Sequence, residues 1–146
     1  MERSSPNPSP SGAPDVGVWN ARRLFDELVA LSPLRVIAIT GPSVAETIVD
    51  LPAYGIADGY VNAITPTFHW HLALDRLGHV TSREEVHARS GRRVLFLELR
   101  ERAEAEPFLS VYLHRGKGEE FSEERARRFA ALHAALSLGR DLEAAP

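Results

Sequence analysis

The sequence predicts an α+β domain in which an antiparallel β-sheet of six to seven strands is accompanied by an N-terminal and a C-terminal helix. Apolar residues recur at helical spacing near both ends of the chain, and the segments between are β-branched or alternate between apolar and polar residues. The connections between these segments are too short for helical crossovers, which favours antiparallel pairing. A length of 146 residues with 44% hydrophobic content is typical of one domain with one core.

The N-terminal region divides into a leader and a helix. Residues 1–14 are rich in Ser and Pro and offer no apolar stripe, so we expect a disordered leader there. We assign residues 15–139 to a single domain and residues 140–146 to a flexible tail. The first helix is expected to end before Pro33. Its apolar stripe consists of Trp19, Leu24, Phe25, Leu28 and Leu31.

Seven segments then have the character of strands, separated by turn dipeptides such as Gly41-Pro42 and Ser90-Gly91. The predicted strands are Leu34–Thr40, Val44–Asp50, Gly59–Asn62, Thr67–Asp75, His79–Val86, Val94–Arg100 and Phe108–His114. The closing helix is predicted between Ser122, a good N-cap residue, and Gly139, a natural terminator. The apolar stripe of this helix, which we expect to cover the core or a dimer interface, consists of Phe129, Leu132 and Leu136.

Charge and composition exclude several classes of function. The chain has 17 basic and 20 acidic residues and a formal net charge of -3, so nucleic acid is not an expected partner. The absence of cysteine excludes disulfides, thiolate zinc sites and a cysteine nucleophile. Because the sequence has neither the apolar region of a signal peptide nor an apolar run of about 18 residues, it predicts a cytoplasmic protein without a membrane span.

The strand predicted at Thr67–Asp75 carries the clearest chemical signal. Successive side chains of a strand point to opposite faces, so His69 and His71 stand together on one face. The opposite face is an apolar row of Phe68, Trp70, Leu72 and Leu74. Two neighbouring imidazoles on a polar face suit a metal ion or a haem iron, although they also suit a solvated sheet surface.

A series of short motifs runs in a fixed order from Leu34 to Leu138. The series consists of Leu51-Pro52, Gly59-Tyr60-Val61-Asn62, His71-Leu72-Ala73-Leu74-Asp75, His79-Val80, Val94-Leu95-Phe96-Leu97, Leu113-His114-Arg115 and Phe129-Ala130-Ala131-Leu132. In its order and spacing, more than in any single motif, the series resembles the ChuX/HutX-type haem-utilisation family.

The resemblance implies a HemS/ChuX-like fold and a cytoplasmic, homodimeric haem-binding protein that carries or stores haem during iron acquisition. It implies His71 as an axial haem ligand and Tyr60 as the other ligand type, with Val61 as the matching position in a register shifted by one. Where some relatives have a second haem-binding histidine, this chain has an apolar residue near Ile39. The second axial ligand, and whether haem is carried or degraded, stay open at this point.

Further residues suit the same ligand. His69 is a candidate second iron ligand or a donor to a haem propionate. Arg115 and Arg83 are candidates for pairing with propionates, because a guanidinium binds a carboxylate through two parallel hydrogen bonds.

Two alternatives do not involve haem. The first is a small non-haem divalent-metal module or metalloenzyme that uses His69 and His71 with a third ligand such as His114 or Asp75. The second is a dimeric scaffold without a cofactor.

Overall fold

The computed structural model describes residues 17–144, which form two α-helices and nine β-strands. Helix α1 (Ala21–Leu31) begins where the Asn20 side chain accepts a hydrogen bond from the backbone of Arg23 at 2.9 Å. Helix α2 (Glu123–Leu136) begins at Ser122, whose hydroxyl accepts from the backbone of Arg125 at 3.1 Å, which confirms the predicted N-cap. Gly139 follows α2 with φ +86, as a helix terminator requires.

The strands follow the predicted segments closely. They are β1 (Leu34–Thr40), β2 (Ser43–Val49), β3 (Gly55–Ala57), β4 (Tyr60–Ile64), β5 (His69–Ala73), β6 (His79–Val86), β7 (Arg93–Arg100), β8 (Leu109–Leu113) and β9 (Arg140–Asp141). A single 3-10 turn (Leu74–Arg76) ends the β5 segment earlier than expected, so Leu74 and Asp75 lie outside the strand.

The strands form two sheets rather than the one predicted. The large sheet has the order β2-β1-β8-β7-β6-β9, and the small sheet has the order β3-β4-β5, with antiparallel pairing throughout. The sequence does not predict strand β3, because three residues are too few for a periodic pattern. The turn after β3 does have a signal in the sequence, which is the dipeptide Asp58-Gly59. Both residues have positive φ (56 and 81), as a two-residue hairpin turn requires.

One hydrophobic core joins both sheets to both helices. Helix α2 contributes Phe129, Leu132 and Leu136, which are buried within the chain itself, so the predicted apolar stripe closes the domain. The small sheet contributes Trp70, whose ring lies 5.2 Å from the ring of Phe25 on α1. Through these contacts, the face of the small sheet that carries Trp70 packs against the rest of the fold.

The C-terminal residues correct another expectation. The sequence predicts a flexible tail at residues 140–146, but Arg140 and Asp141 form β9 and pair with β6. Just beyond them, the backbone N–H of Glu143 donates to the carbonyl of Trp19 at 2.8 Å. Backbone pairing with a sheet edge orders a two-residue strand that carries no periodic signal. The expected leader at residues 1–14 lies outside the described residues.

No helix within residues 17–144 is long and apolar enough to cross a membrane.

Candidate functional site

The hairpin β4–β5 places the predicted site residues on one surface of the small sheet. Its turn is closed by Thr65, whose hydroxyl accepts a hydrogen bond from the backbone of Phe68 at 2.9 Å. This turn sets the register in which Asn62 faces His71 and Ile64 faces His69. We call the side chains on this solvent side the outer face, which consists of Gly55, Ala57, Tyr60, Asn62, Ile64, His69, His71 and Ala73.

Burial alternates along β5 as the sequence predicted. Trp70 and Leu72 are each 8% exposed and point into the core, whereas His69 and His71 are exposed on the outer face. Phe68 is half-buried and packs against the core. The prediction that the two histidines stand together, opposite an apolar row, is therefore confirmed.

His71 is oriented by a hydrogen bond from the neighbouring strand. Its Nδ1 lies 2.7 Å from Oδ1 of Asn62, and the amide nitrogen of Asn62 donates to the carbonyl of Tyr60 at 3.3 Å. Because the amide nitrogen is used in that second bond, Oδ1 is the atom that faces the imidazole, and an amide oxygen accepts only. The proton of a neutral His71 ring therefore lies on Nδ1, which leaves the Nε2 lone pair free to bind a ligand.

A shallow depression of about 380 Å³ lies beside this imidazole. Its lining consists of Ala57, Asp58, Tyr60, Asn62 and His71. The volume is near the lower end of the range for small-molecule sites, so the depression holds part of a large ligand and leaves the rest in solvent.

Small residues keep the outer face flat around the depression. Gly55 and Ala57 occupy β3, and a Cβ atom added at Gly55 would meet nothing within 4 Å. Two larger apolar side chains, Tyr60 at 44% and Ile64 at 53% exposure, stand at either end of β4. A flat surface with exposed apolar side chains and one free imidazole nitrogen suits a planar, apolar ligand that has an electrophilic centre.

His69 belongs to the outer face but not to the depression. Its ring centroid lies 6.2 Å from that of His71, edge to face. Both side chains leave the strand in the same direction, so they approach a bound ligand from the same side.

The arginine candidates lie elsewhere. Arg115 lines a separate depression that shares no lining residue with the one beside His71. Arg83 is in the large sheet, where its guanidinium pairs with Glu85 at 2.7 Å and with Glu98 at 3.7 Å. Ile39 is on β1, paired with Val44 in the same sheet. The structure does not bring these residues together with His71.

The three-ligand metal site is not formed in the described part of the chain. No group of three or more His, Asp or Glu side chains within residues 17–144 is placed to hold a metal ion. Asp75 lines a depression with Leu77 and Leu142, and His114 lines the one that contains Arg115. The spacing of Asp75 and His114 in the sequence does not show that they lie away from the histidine pair.

Asn62, which hydrogen-bonds to His71, is predicted from the sequence only as the last residue of the Gly59–Asn62 motif. A signal for its role was present, because Asn62 and His71 are equally distant from the turn at Thr65–Phe68. Residues placed symmetrically about an antiparallel hairpin turn face each other across the strands.

Comparison with solved structures identifies known proteins with this fold. The haem-binding protein ChuX superposes with a TM-score of 0.64 at 17% identity, over 78% of this chain and 70% of that chain. A protein from Agrobacterium tumefaciens superposes with a TM-score of 0.63 at 18% identity, over 77% of this chain and 64% of that chain. The holo form of PhuS, a haem-binding protein from Pseudomonas aeruginosa, superposes with a TM-score of 0.57 at 17% identity, over 72% of this chain and 32% of that chain.

Similarity at this level of identity shows the fold alone. The predicted HemS/ChuX-like α+β fold is therefore confirmed. The chain spans 64% of the length of the Agrobacterium protein and about a third of PhuS. No protein-family model matches the chain, and no curated protein matches its sequence.

Proposed function

We propose that this protein binds haem on the outer face of the small sheet and acts as a cytoplasmic haem carrier or store in haem and iron utilisation. The observation that carries the proposal is the hydrogen bond between Nδ1 of His71 and Oδ1 of Asn62, which leaves Nε2 of His71 free beside an open depression. The fold shared with the haem-binding proteins ChuX and PhuS supports it.

The residues present fit a haem group. A neutral imidazole nitrogen is a common axial ligand of haem iron, and a hydrogen bond to the other ring nitrogen both fixes the tautomer and makes the ligand more basic. His71 and Asn62 supply these two elements from adjacent strands. The flat surface around Gly55 and Ala57 suits the porphyrin plane, and Tyr60 and Ile64 offer apolar contacts at its edges.

Tyr60 is an alternative ligand rather than a partner of His71 across the iron. Both side chains project from the same face of one sheet, so both approach a porphyrin from the same side. Tyr60 is opposite Ala73, two residues along the strand from the Asn62–His71 pair and next to it on the outer face. Its main contribution is contact with the porphyrin edge.

The openness of the depression suits transfer of haem rather than permanent retention. Its described lining contains no arginine or lysine, so no cation there would pair with a haem propionate. A ligand that keeps part of its surface exposed can pass to an acceptor without opening of the fold.

The direct test is a titration of the purified chain with hemin, followed by visible absorption. We expect a Soret band that saturates at one equivalent. Asn62→Ala is expected to weaken hemin binding by about tenfold, because the imidazole loses the partner that orients it. Asn62→Asp, which keeps an acceptor oxygen toward Nδ1, is expected to bind as tightly as the parent or more tightly. Weakening of similar size in both variants would count against this role of Asn62.

We infer that the protein forms a homodimer through the exposed side of the large sheet. Val44 and Ile48 on the edge strand β2 are 59% and 50% exposed, and the half-buried Ile37 and Ile39 lie beside them on the same face. The apolar stripe of α2 is used in the chain's own core and is not available for association.

Light scattering is expected to report twice the mass of one chain for the parent protein. Ile48→Asp should shift the protein toward monomer, since a buried carboxylate in an apolar interface is costly. Val86→Asp is the matched control, because Val86 is even more exposed, at 71%, but faces the side of the sheet that carries α2. A parent protein that is monomeric at about 50 μM, well above the dissociation constants of stable dimers, would exclude this dimer.

A further inference from the structure

A second depression, of about 180 Å³, lies at the end of strands β1, β7 and β8 in the large sheet. Its described lining contains four arginines and no Asp or Glu. The polar and aromatic residues on which the following argument depends are Arg35, Arg92, Arg93, His114, Arg115 and Phe121. Three of the four guanidinium groups pair with carboxylates that lie outside the depression, so Arg115 supplies the positive charge that is left for a ligand.

Arg115 is held in place before any ligand arrives. Its guanidinium carbon lies 4.1 Å above the ring of Phe121, and its Nη2 donates to the carbonyl of Arg93 at 2.7 Å. The guanidinium of Arg125 lies 5.5 Å from the same ring and donates to the carbonyls of Pro33 and His114. Arg125 therefore helps to hold the Phe121 ring against which Arg115 packs. A side chain that is already ordered loses little entropy when it binds a ligand.

Arg115 carries a charge that no carboxylate pairs with in the described part of the chain. No Asp or Glu side chain within residues 17–144 forms an ion pair with it. Burial, followed by the positive charges of Arg92 and Arg93, lowers the pKa of the Arg115 guanidinium, with the carboxylate of Glu120 acting in the opposite direction. Arginine stays protonated at neutral pH even so, and the remaining repulsion is relieved by an anion.

The neighbouring arginines are available to such an anion. Arg35 pairs with Glu46 at 2.9 Å, Arg93 pairs with Glu84 at 3.2 Å, and Arg92 lies 3.8 Å from Glu120, in pairs whose side chains are partly or largely exposed. Exposed pairs of this kind contribute little stability, so these guanidiniums can exchange a surface carboxylate for a ligand at small cost.

We propose that this depression binds an oxyanion, the phosphate or carboxylate group of a ligand, with Arg115 as its principal contact. A guanidinium presents parallel N–H donors that match two oxygens of such a group, and one of the five donors of Arg115 is already used by the Arg93 carbonyl. The depression is smaller than the sites that enclose drug-sized molecules, so it recognises the anionic group and leaves the body of the ligand outside. This inference does not depend on haem binding.

The test is calorimetric titration of the full chain with inorganic phosphate at constant ionic strength. We expect one saturable site that Arg115→Gln weakens by about tenfold or more, since this variant removes a charge-assisted bidentate contact. Arg115→Lys, which keeps the charge without the planar fork, should lie between Arg115→Gln and the parent. The matched control is Arg127→Gln, which removes an exposed arginine on α2, so binding should stay within about twofold of the parent because distant exposed charges are screened.

Three results would overturn the proposal. The first is a parent protein without saturable phosphate binding, and the second is equal weakening in Arg115→Gln and Arg127→Gln. Hemin titration of the same variants supplies the third, because weaker hemin binding in Arg115→Gln would place a haem propionate in this depression instead of a second ligand. Circular dichroism of each variant separates these results from a loss of folding.

Discussion

Replacing Trp70 with alanine is expected to lower the free energy of unfolding by about 3–5 kcal/mol, the usual cost of removing a large aromatic side chain from a core. Trp70 is 8% exposed, and its ring contacts that of Phe25 at a centroid distance of 5.2 Å. Helix α1 and the small sheet meet at this contact. The substitution therefore leaves a cavity between the element that carries the candidate site and the rest of the core.

Urea unfolding followed by far-UV circular dichroism measures the effect without relying on tryptophan fluorescence. The transition midpoint should fall while the slope of the free energy against urea stays the same. His69→Ala is the matched control, because His69 precedes Trp70 on β5 and points to solvent, and it should change stability by no more than about 0.5 kcal/mol. If both variants were equally stable, the alternation of β5 that places His71 on the outer face would be wrong.

The elements that sequence predicted well are those with a local cause. Strand β6 has the predicted bounds, His79–Val86, and Ser122 caps α2 as expected. Apolar and polar residues alternate along β5, and successive side chains of a strand point to opposite faces. The alternation therefore predicts which side chains of β5 face the core. Such signals depend on neighbouring residues alone, so a single sequence contains them.

The features that sequence did not predict depend on pairing between distant segments. Strands β3 and β9 have three and two residues, too few for a periodic pattern, and they exist because β4 and β6 offer edges to pair with. The division into two sheets places Arg115 in a depression other than that of His71, a separation that no sequence spacing reveals. The fold and the histidine face were therefore predictable, whereas the separation of the other candidate residues into different depressions was not.

Replacing His71 with alanine is expected to weaken hemin binding by about ten- to a hundredfold, or about 1.4–2.7 kcal/mol of binding free energy, and to shift the Soret maximum. The reason is the single free imidazole nitrogen at the depression, which Asn62 holds toward the ligand. The porphyrin contacts proposed for Tyr60 and Ile64 are unchanged by this substitution, so binding should weaken rather than vanish. The shift of the Soret band separates loss of an iron ligand from loss of surface contact.

His69→Ala provides the control at the neighbouring outward position of the same strand. His69 does not line the depression, so its removal should change the hemin affinity by less than about threefold and leave the Soret maximum in place. Equal small effects from the two substitutions would mean that both imidazoles are solvated surface residues. Tyr60→Phe would then test the phenolate as the ligand, because it removes the hydroxyl and keeps the ring against the porphyrin. Failure of the parent chain to bind hemin at all would exclude the haem function, while the predictions for Trp70 and Arg115 would be unaffected because neither depends on haem.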